Sequence, residues 1–471
     1  MNVLMTTSAA PDHSPFMTHD KRFPLGVGFL LAALEKAGHK TFFLDNFLSP
    51  TQFENTDYLM RNKIDVVGIS SNTICSRHTL HLVDALDELR RTGKWGGRIV
   101  VGGPHTAVTK TPWPDAVDHV VIGEADHSIV DIIEGRVKDR VIHGKRIDDL
   151  DSLPRPAYHH FAHLPYDVRV SAIRDYPIFT MNTSRGCPFC CSFCSVGGVW
   201  GSAYRAFSAE RIVDDIEFLR RDYGVKGIFF REDNFTFDQR RLTEFCELLI
   251  RKNSKMKWLC ESRVKPMSRE ILALMKRAGC RWLYFGCESG SPRMLELYRK
   301  KISPDDIRRT LAWCRELGIR AYTSWMVGAP SETGADIAMT LDLIEETKPW
   351  SIGLGVYVGL PGSELYEKCL QEGNFSEMDD IGLLYGERHN ELVNLIYPRQ
   401  MAKAAMVPHS PPRVARPENR TTTATDQIFA RLRGNRILTT TARLLGLLQV
   451  ARLQCRRNVL GQLRRLAVAV E

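Results

Sequence analysis

A short apolar run followed by an amphipathic stretch of helical period recurs from the N-terminus to about residue 357, and this repeat constrains the chain more than any other feature. Runs rich in Val, Ile, Leu and Phe need cover on both faces, and intervening helices supply it in a parallel sheet. The first 150 residues read as strands at Asn2–Thr6, Lys40–Leu44, Val66–Ser70, Arg98–Val101 and His119–Ile122, with helices over Leu25–Ala37 and Thr79–Arg91. Pro24 opens the first of these helices and Gly38 stops it. Six further strand-then-helix units follow, with strands at Ile178–Asn182, Gly227–Arg231, Lys257–Glu261, Trp282–Gly286, Arg320–Met326 and Ser351–Tyr357, and helices such as Glu210–Arg221 and Asp305–Glu316. The predicted fold class is α/β: a Rossmann-like domain, then a partial (βα)6 barrel open on one side. In both, ligands are expected beyond the carboxyl ends of the strands.

The chain has 471 residues, more than one hydrophobic core usually organises. We divide it into a Rossmann-like domain over 1–145, a Pro- and His-containing connection over 146–175, the partial barrel over 176–373, a barrel extension over 374–400, a flexible Pro- and Thr-rich linker over 401–425 and a helical basic tail over 426–471. The formal net charge is +9, and the tail alone, with nine arginines and two acids, contributes +7 of it. The body is therefore nearly neutral. The tail has almost no aromatic residues and no known nucleic-acid motif, so nucleic acid is not an expected partner. Its leucines, at 444, 445, 448 and 453, interleave with arginines and suit a membrane surface or a helix packed on the barrel. No apolar run is long enough to span a membrane and no basic segment precedes an apolar stretch at the start, so a cytoplasmic protein, peripheral at the membrane through its tail, is expected.

Twelve cysteines are scattered along the chain except for one knot, Cys187-Pro188-Phe189-Cys190-Cys191-Ser192-Phe193-Cys194, which directly follows a strand. Scattered cysteines in a long chain argue against a disulfide framework and a knot argues for metal ligation. Cys187, Cys191 and Cys194, spaced C-x3-C-x2-C, can grip three irons of a 4Fe-4S cubane and leave the fourth without a protein ligand, where an exogenous amino-carboxylate could bind. Cys190 falls outside this spacing. A structural zinc site is the competing reading, but zinc wants a fourth protein ligand that the neighbouring sequence does not offer.

This motif in its strand-then-loop setting resembles the radical S-adenosylmethionine superfamily over roughly Tyr176 to Gly373. The resemblance implies that the unique iron binds the methionyl amine and carboxylate of S-adenosylmethionine, that an electron enters the sulfonium, and that a 5'-deoxyadenosyl radical abstracts hydrogen from substrate. It implies further that Phe193 packs near cluster and adenine, that Glu232, Asp233 and Asn234 lie where the family contacts the methionine ammonium, that Glu288 and Ser289 face the ribose, and that the segment Gly328-Ala329-Pro330-Ser331-Glu332 lies near adenine. The family's Gly-Gly-Glu form at the ammonium position is absent. Arg263 follows the third barrel strand and adds a further polar group there. For each of these positions a helix cap or rim salt bridge is the bland alternative.

The order Pro24-Leu25-Gly26, then Val66 to Ser70, then Val100-Val101-Gly102-Gly103-Pro104-His105 resembles the cobalamin-binding domain often found ahead of such barrels. The resemblance implies that Gly102 and Gly103 admit a large ligand closely and that Ser71 or Thr73 hydrogen-bonds its nucleotide tail. The D-x-H-x-x-G signature is missing, which leaves His13, His19 and His105 as ordinary loop residues. The function expected is a cobalamin-dependent radical enzyme that methylates an unactivated carbon of a small or lipid-like molecule and takes electrons from an external donor such as flavodoxin or ferredoxin. Alternatives are a radical cyclase, mutase or oxidative rearrangement enzyme, and a non-catalytic iron–sulfur electron-transfer protein.

Overall fold

The computed structural model describes residues 1–9, 22–46, 48, 56–109, 112–166, 168, 173, 175–357 and 359–372. The barrel extension, the flexible linker and the basic tail expected after residue 373 lie outside the described residues, as do His13 and His19.

Two six-stranded sheets, both wholly parallel, carry the chain. The first is built from β1 (Asn2–Thr7), β2 (Lys40–Asp45), β3 (Val66–Ser70), β4 (Arg98–Gly102), β5 (His119–Ile122) and β6 (Val141–His143), in the order β2-β1-β3-β4-β5-β6. Between them run α1 (Leu25–Lys36), α2 (Thr56–Arg61), α3 (Ser76–Arg91), α4 (Pro104–Val108) and α5 (Ile129–Ile133). The strand order reverses at β1, so a crevice is expected beyond the ends of β1 and β3. β6 has only three residues, too few to show a strand period in the sequence.

The second sheet runs β7 (Ile178–Met181), β10 (Gly227–Phe230), β11 (Lys257–Ser262), β12 (Cys280–Glu288), β13 (Arg320–Val327) and β14 (Ser351–Val356) in sequential order, with β7 and β14 at its edges. A two-residue ladder, β8 (Ser184–Arg185) with β9 (Arg205–Ala206), brackets the cysteine loop and its short helix α6 (Val196–Trp200). Helices α7 (Ala209–Tyr223), α8 (Gln239–Arg251), α9 (Arg269–Arg277), α10 (Pro292–Leu297), α11 (Pro304–Glu316), α12 (Gly334–Thr347) and α13 (Glu364–Gln371) complete the units. Their starts are set locally: Ser208, Asp238, Ser268, Ser291, Ser303, Thr333 and Ser363 each accept a hydrogen bond from a backbone N–H of the first turn.

Strand alternation divides the barrel into two faces. Phe230, Trp258, Leu283, Phe285 and Cys287 turn toward the helices and join the main core, while Ile178, Phe229, Leu259 and Trp282 turn the other way, onto Val168, Ile173, Tyr284 and Tyr322. The main core is continuous across both sheets, because the connection between them is itself buried. Tyr158 and Phe161 of that connection have almost no exposed surface. Phe23 meets Tyr158, Phe161, Tyr166 and Phe179 at ring distances of 4.6–6.1 Å, which clamps the start of α1 onto the barrel.

Candidate active site

The cysteine loop leaves β8 through Gly186, whose φ is +83° and where a Cβ would lie 2.3 Å from the Ala203 carbonyl oxygen, so only glycine turns the chain there. Ser192 fixes the far side of the loop: its N–H donates to the Tyr298 carbonyl (3.1 Å), its hydroxyl donates to the Leu297 carbonyl (2.7 Å), and its carbonyl accepts from Leu365 N–H (2.7 Å). Cys187, Cys191 and Cys194 are half-buried and Cys190 is exposed; all eleven described cysteines are free thiols. Burial pushes Cys187 up and Cys194 up to about 11, with Asp233 and the neighbouring thiols adding to the rise. Such thiols give up their protons to a cation.

One zinc ion would draw its sulfur ligands to within about 4 Å of each other. Among the described residues, the three cysteine sulfurs do not all close within 4.8 Å of one another. Arg263 reaches the loop from the end of β11. Its Nη1 donates to Cys191 Sγ at 3.3 Å, its guanidinium lies 4.0 Å over the Phe189 ring, and its Nη2 donates to the Lys300 carbonyl. Phe193 packs edge-on against Tyr298 (5.5 Å) with Lys300 Nζ 5.6 Å over its ring.

The residues expected at the other strand ends divide into two groups. Glu232, fully buried, accepts hydrogen bonds from the Thr183 hydroxyl (2.6 Å), Thr183 N–H (3.3 Å) and the Ser184 hydroxyl, and so holds the lead-in to the cysteine loop. Glu288 pairs with Lys300 at 2.7 Å in a buried ion pair, and Ser289, wholly buried, meets the Thr340 hydroxyl at 3.0 Å. These three are committed to the protein. Asp233 is held less: its side chain is exposed at the strand end, and the protein packed around it raises its carboxyl to about 6 against the pull of Arg231. Asn234 is buried, and its Nδ2 has no protein partner. The loop after β13 folds around Glu332, one carboxylate oxygen of which accepts from Gly328 N–H and Ala329 N–H (3.3 Å). Its other oxygen has no protein partner, nor does the buried hydroxyl of Tyr298. Burial lifts Glu332 to about 7. Buried hydrogen-bonding capacity left unfilled beside a cysteine loop fits a small polar cofactor with amine, carboxylate and hydroxyl groups.

A cavity of about 360 Å³ opens at the carboxyl ends of β1, β3, β4 and β5. Leu25, Val27, Leu30, Ile69 and Val100 make it largely apolar, and Val199 and Trp200 close it from the cysteine-loop side. Gly102 and Gly103 line it; at Gly103, with φ +101°, a Cβ would meet the Ser71 carbonyl oxygen at 2.5 Å. Ser71 and Thr73 do not line it, whereas Ser70 and Asn72 do. The Ser71 hydroxyl is turned to Thr79 (2.8 Å), and the Thr73 hydroxyl sits 3.3 Å from His105 Nδ1. Side chains one position apart leave extended backbone on opposite sides, and this register was invisible in a run of four polar residues. His105 is no ordinary loop residue: it stands in α4, is buried, lies edge-on to Trp113 and is pushed down to about 4, so it stays neutral.

The sequence reading missed the group that joins the two regions. Arg185, two residues before Cys187, donates to Glu124 (2.7 Å) and to both oxygens of Asp126 (2.9 and 2.8 Å), between the rings of Phe29 and Trp200. Arg205 pairs with the other Glu124 oxygen at 2.6 Å. All four side chains are nearly fully buried, and Arg185, Glu124 and Asp126 line the cavity. The signal available was Gly123-Glu124-Ala125-Asp126 at a strand end, acids where a ligand crevice opens.

Two family profiles match the chain: the radical SAM superfamily over residues 181–344 and the B12 binding domain over residues 20–133. An uncharacterized methyltransferase of Pyrococcus horikoshii is 27% identical over 372 residues, 74% of this chain and 78% of that protein. The cytidylyl-2-hydroxyethylphosphonate methyltransferase of Streptomyces wedmorensis is 24% identical over 427 residues, with 74% and 78% covered. Among solved structures, the cobalamin-dependent S-adenosylmethionine radical enzyme OxsB with aqua-cobalamin bound superposes with a TM-score of 0.71 at 16% identity, covering 88% of this chain and 69% of that one, which shows a common fold. With one cysteine loop at the mouth of a six-stranded parallel barrel and a glycine-lined cavity in the sheet ahead of it, the chain carries a radical SAM superfamily domain over residues 181–344 behind a B12 binding domain over residues 20–133.

Proposed function

We propose that this protein is a cobalamin-dependent radical methyltransferase acting at an unactivated carbon of a small molecule. The observation that carries the reading is the position of the cavity, walled on one side by the strand ends of the B12-binding domain and on the other by Val199 and Trp200 of the cysteine loop. A group lodged there would lie beside the loop whose three cysteines would hold the cluster. When bound, the cluster and S-adenosylmethionine supply a radical that opens a C–H bond, and cobalamin supplies a carrier for the methyl group.

The chain's own share is binding, orientation and exclusion of water. Cys187, Cys191 and Cys194 would hold three irons, with Arg263 donating to the Cys191 sulfur. Asp233 would receive the ammonium of S-adenosylmethionine, the unfilled N–H of the Asn234 amide would donate to its carboxylate, and Phe193 would pack against its adenine. Gly328 and the Glu332 oxygen left without a partner would meet the same cofactor from the β13 side, while Gly102, Gly103, Ser70 and Asn72 would line the cobalamin tail. Glu232, Glu288 and Ser289 would support these groups from behind. The substrate would be lipid-like if the tail, outside the described residues, rests on a membrane; electrons would come from an external donor such as a flavodoxin or ferredoxin.

The test is product analysis with S-adenosylmethionine labelled in its methyl group. Methyl transfer predicts 5'-deoxyadenosine together with a product carrying the label and one added methylene unit of mass. Turnover without that gain would make the protein a cyclase, mutase or rearrangement catalyst. A cluster-loaded, reduced protein that forms no deoxyadenosine would be an electron-transfer module.

A further inference from the structure

Far from the cysteine loop in sequence, three segments bring metal-ligating side chains together. Glu35 stands in the last turn of α1, Thr41 at the start of β2, and His159 with His160 in a 3-10 turn of the interdomain connection. His159 Nε2 lies 3.1 Å and His160 Nε2 2.9 Å from the same oxygen, Oε1 of Glu35, and all three ligand atoms fall within 4.8 Å of one another. The Thr41 hydroxyl donates to that oxygen too, at 2.6 Å, and also sits 3.1 Å from His160 Nε2. The two imidazoles are tilted by 37° with centroids 4.4 Å apart, and both Nε2 atoms approach the same Glu35 oxygen.

Hydrogen bonding accounts poorly for this convergence. One carboxylate oxygen offers about two acceptor directions, yet the Thr41 hydroxyl and two imidazole nitrogens crowd it. A cation removes the conflict. Two imidazole nitrogens and one carboxylate oxygen are the ligands of open divalent sites, and ligand atoms bonded at about 2.0–2.2 Å to one tetrahedral ion stand a little over 3 Å apart, close to the separations seen.

We propose that Glu35, His159 and His160 form a site for a divalent transition cation of the zinc class, with water completing its coordination. The protonation states suit it. Burial raises the Glu35 carboxyl, but the hydrogen bonds from Thr41 and His160 and the nearby imidazoles outweigh that and hold it below the usual carboxylate range. Burial keeps His160 below the usual imidazole value, so it is neutral at pH 7. The C-terminal end of a helix also favours positive charge.

The cation would staple α1 to the connection. The other end of α1 lines the cofactor cavity through Leu25, Gly26, Val27 and Leu30, and Gly26 lies about 13 Å from Glu35 along a helix rising about 1.5 Å per residue. Occupancy of the site therefore braces a helix that walls the cavity, without touching either cofactor.

Anaerobic equilibrium dialysis of the untagged, cluster-loaded full-length protein against Zn²⁺, with iron and zinc counted together, tests this. The wild type is expected to take up one more zinc per chain than Glu35→Gln or the His159→Asn/His160→Asn double variant, each of which should bind at least about tenfold more weakly at unchanged iron content. Should the double variant fail to fold, His159→Ala alone carries the test, since that side chain is 57% exposed. Zinc should also raise the thermal midpoint of the wild type and leave that of His159→Ala unmoved. Equal zinc uptake by wild type and variants, or none by the wild type, overturns the proposal.

Discussion

Arg263 places a guanidinium N–H on a sulfur of the cysteine loop while stacking on Phe189, which gives it an electrostatic task separable from ligation. A positive donor at a cluster sulfur favours the reduced, more negative cluster. Arg263→Met should therefore keep its iron and lower the cluster potential by about 50–100 mV, the one-electron equivalent of a charged hydrogen bond worth about 1.5–2 kcal/mol. A redox titration followed by EPR checks it, and an unchanged potential would remove Arg263 from that role. The ligand assignment is tested in the same preparation: Cys187→Ala, Cys191→Ala and Cys194→Ala should each lose most iron and all deoxyadenosine formation, while Cys190→Ala, exposed and outside the spacing, should retain both. At this scale the sequence was legible where chemistry is written locally. The cysteines fall within eight consecutive positions, so their ligand-like spacing is written in the sequence. Glu232 and Ser289 do not, because their side chains are spent on Thr183, Ser184 and Thr340, partners fixed by how strands and helices meet.

The loop between β13 and α12 shows what an element adds. Glu332 folds it by accepting from two backbone N–H groups, and burial raises its carboxyl from 4.5 to about 7. A group raised in the folded state holds its proton there while the unfolded chain has lost it, so its contribution is intact below about pH 4.5 and is lost as pH rises to about 7. At about 1.4 kcal/mol per unit, the loss amounts to about 3 kcal/mol at most. Glu332→Gln should flatten the fall in thermal midpoint of the cofactor-free protein between pH 5 and pH 7.5; a variant whose midpoint falls as steeply as that of the wild type would show that the loop does not titrate there. The elements themselves were largely readable, since burial on both strand faces leaves unbroken apolar runs and Ser, Thr or Asp marks the start of each helix from α7 to α13. β3 and β5 begin and end where the apolar runs do, and α3 starts three residues earlier than expected, at Ser76, because Thr79 turns inward to Ser8 and Ser71.

For the whole molecule the decisive group is the buried quartet of Arg185, Arg205, Glu124 and Asp126, two cations and two anions that cancel across the seam between the domains. Removing one member leaves a buried charge uncompensated, which costs about 3–5 kcal/mol. Arg185→Met should lower the denaturant midpoint accordingly, and adding Asp126→Asn should restore part of it; an unaffected single variant would mean that the seam is held by its apolar packing alone. Among the described residues no helix is long and apolar enough to cross a membrane, and the basic tail lies beyond them. By itself the sequence determined the two parallel sheets, their order along the chain and the cysteine loop with its ligand-like spacing, because hydrophobic period, turn residues and ligand spacing act over a few neighbouring positions. Only the tertiary structure decided that Ser70 and Asn72, not Ser71 and Thr73, face the cavity, that Arg185 meets acids about 60 positions away, and that Glu35 meets His159 and His160 across more than 120. Such meetings depend on sheet register and on how one domain seats on the other, and a shift of one residue in either would undo them.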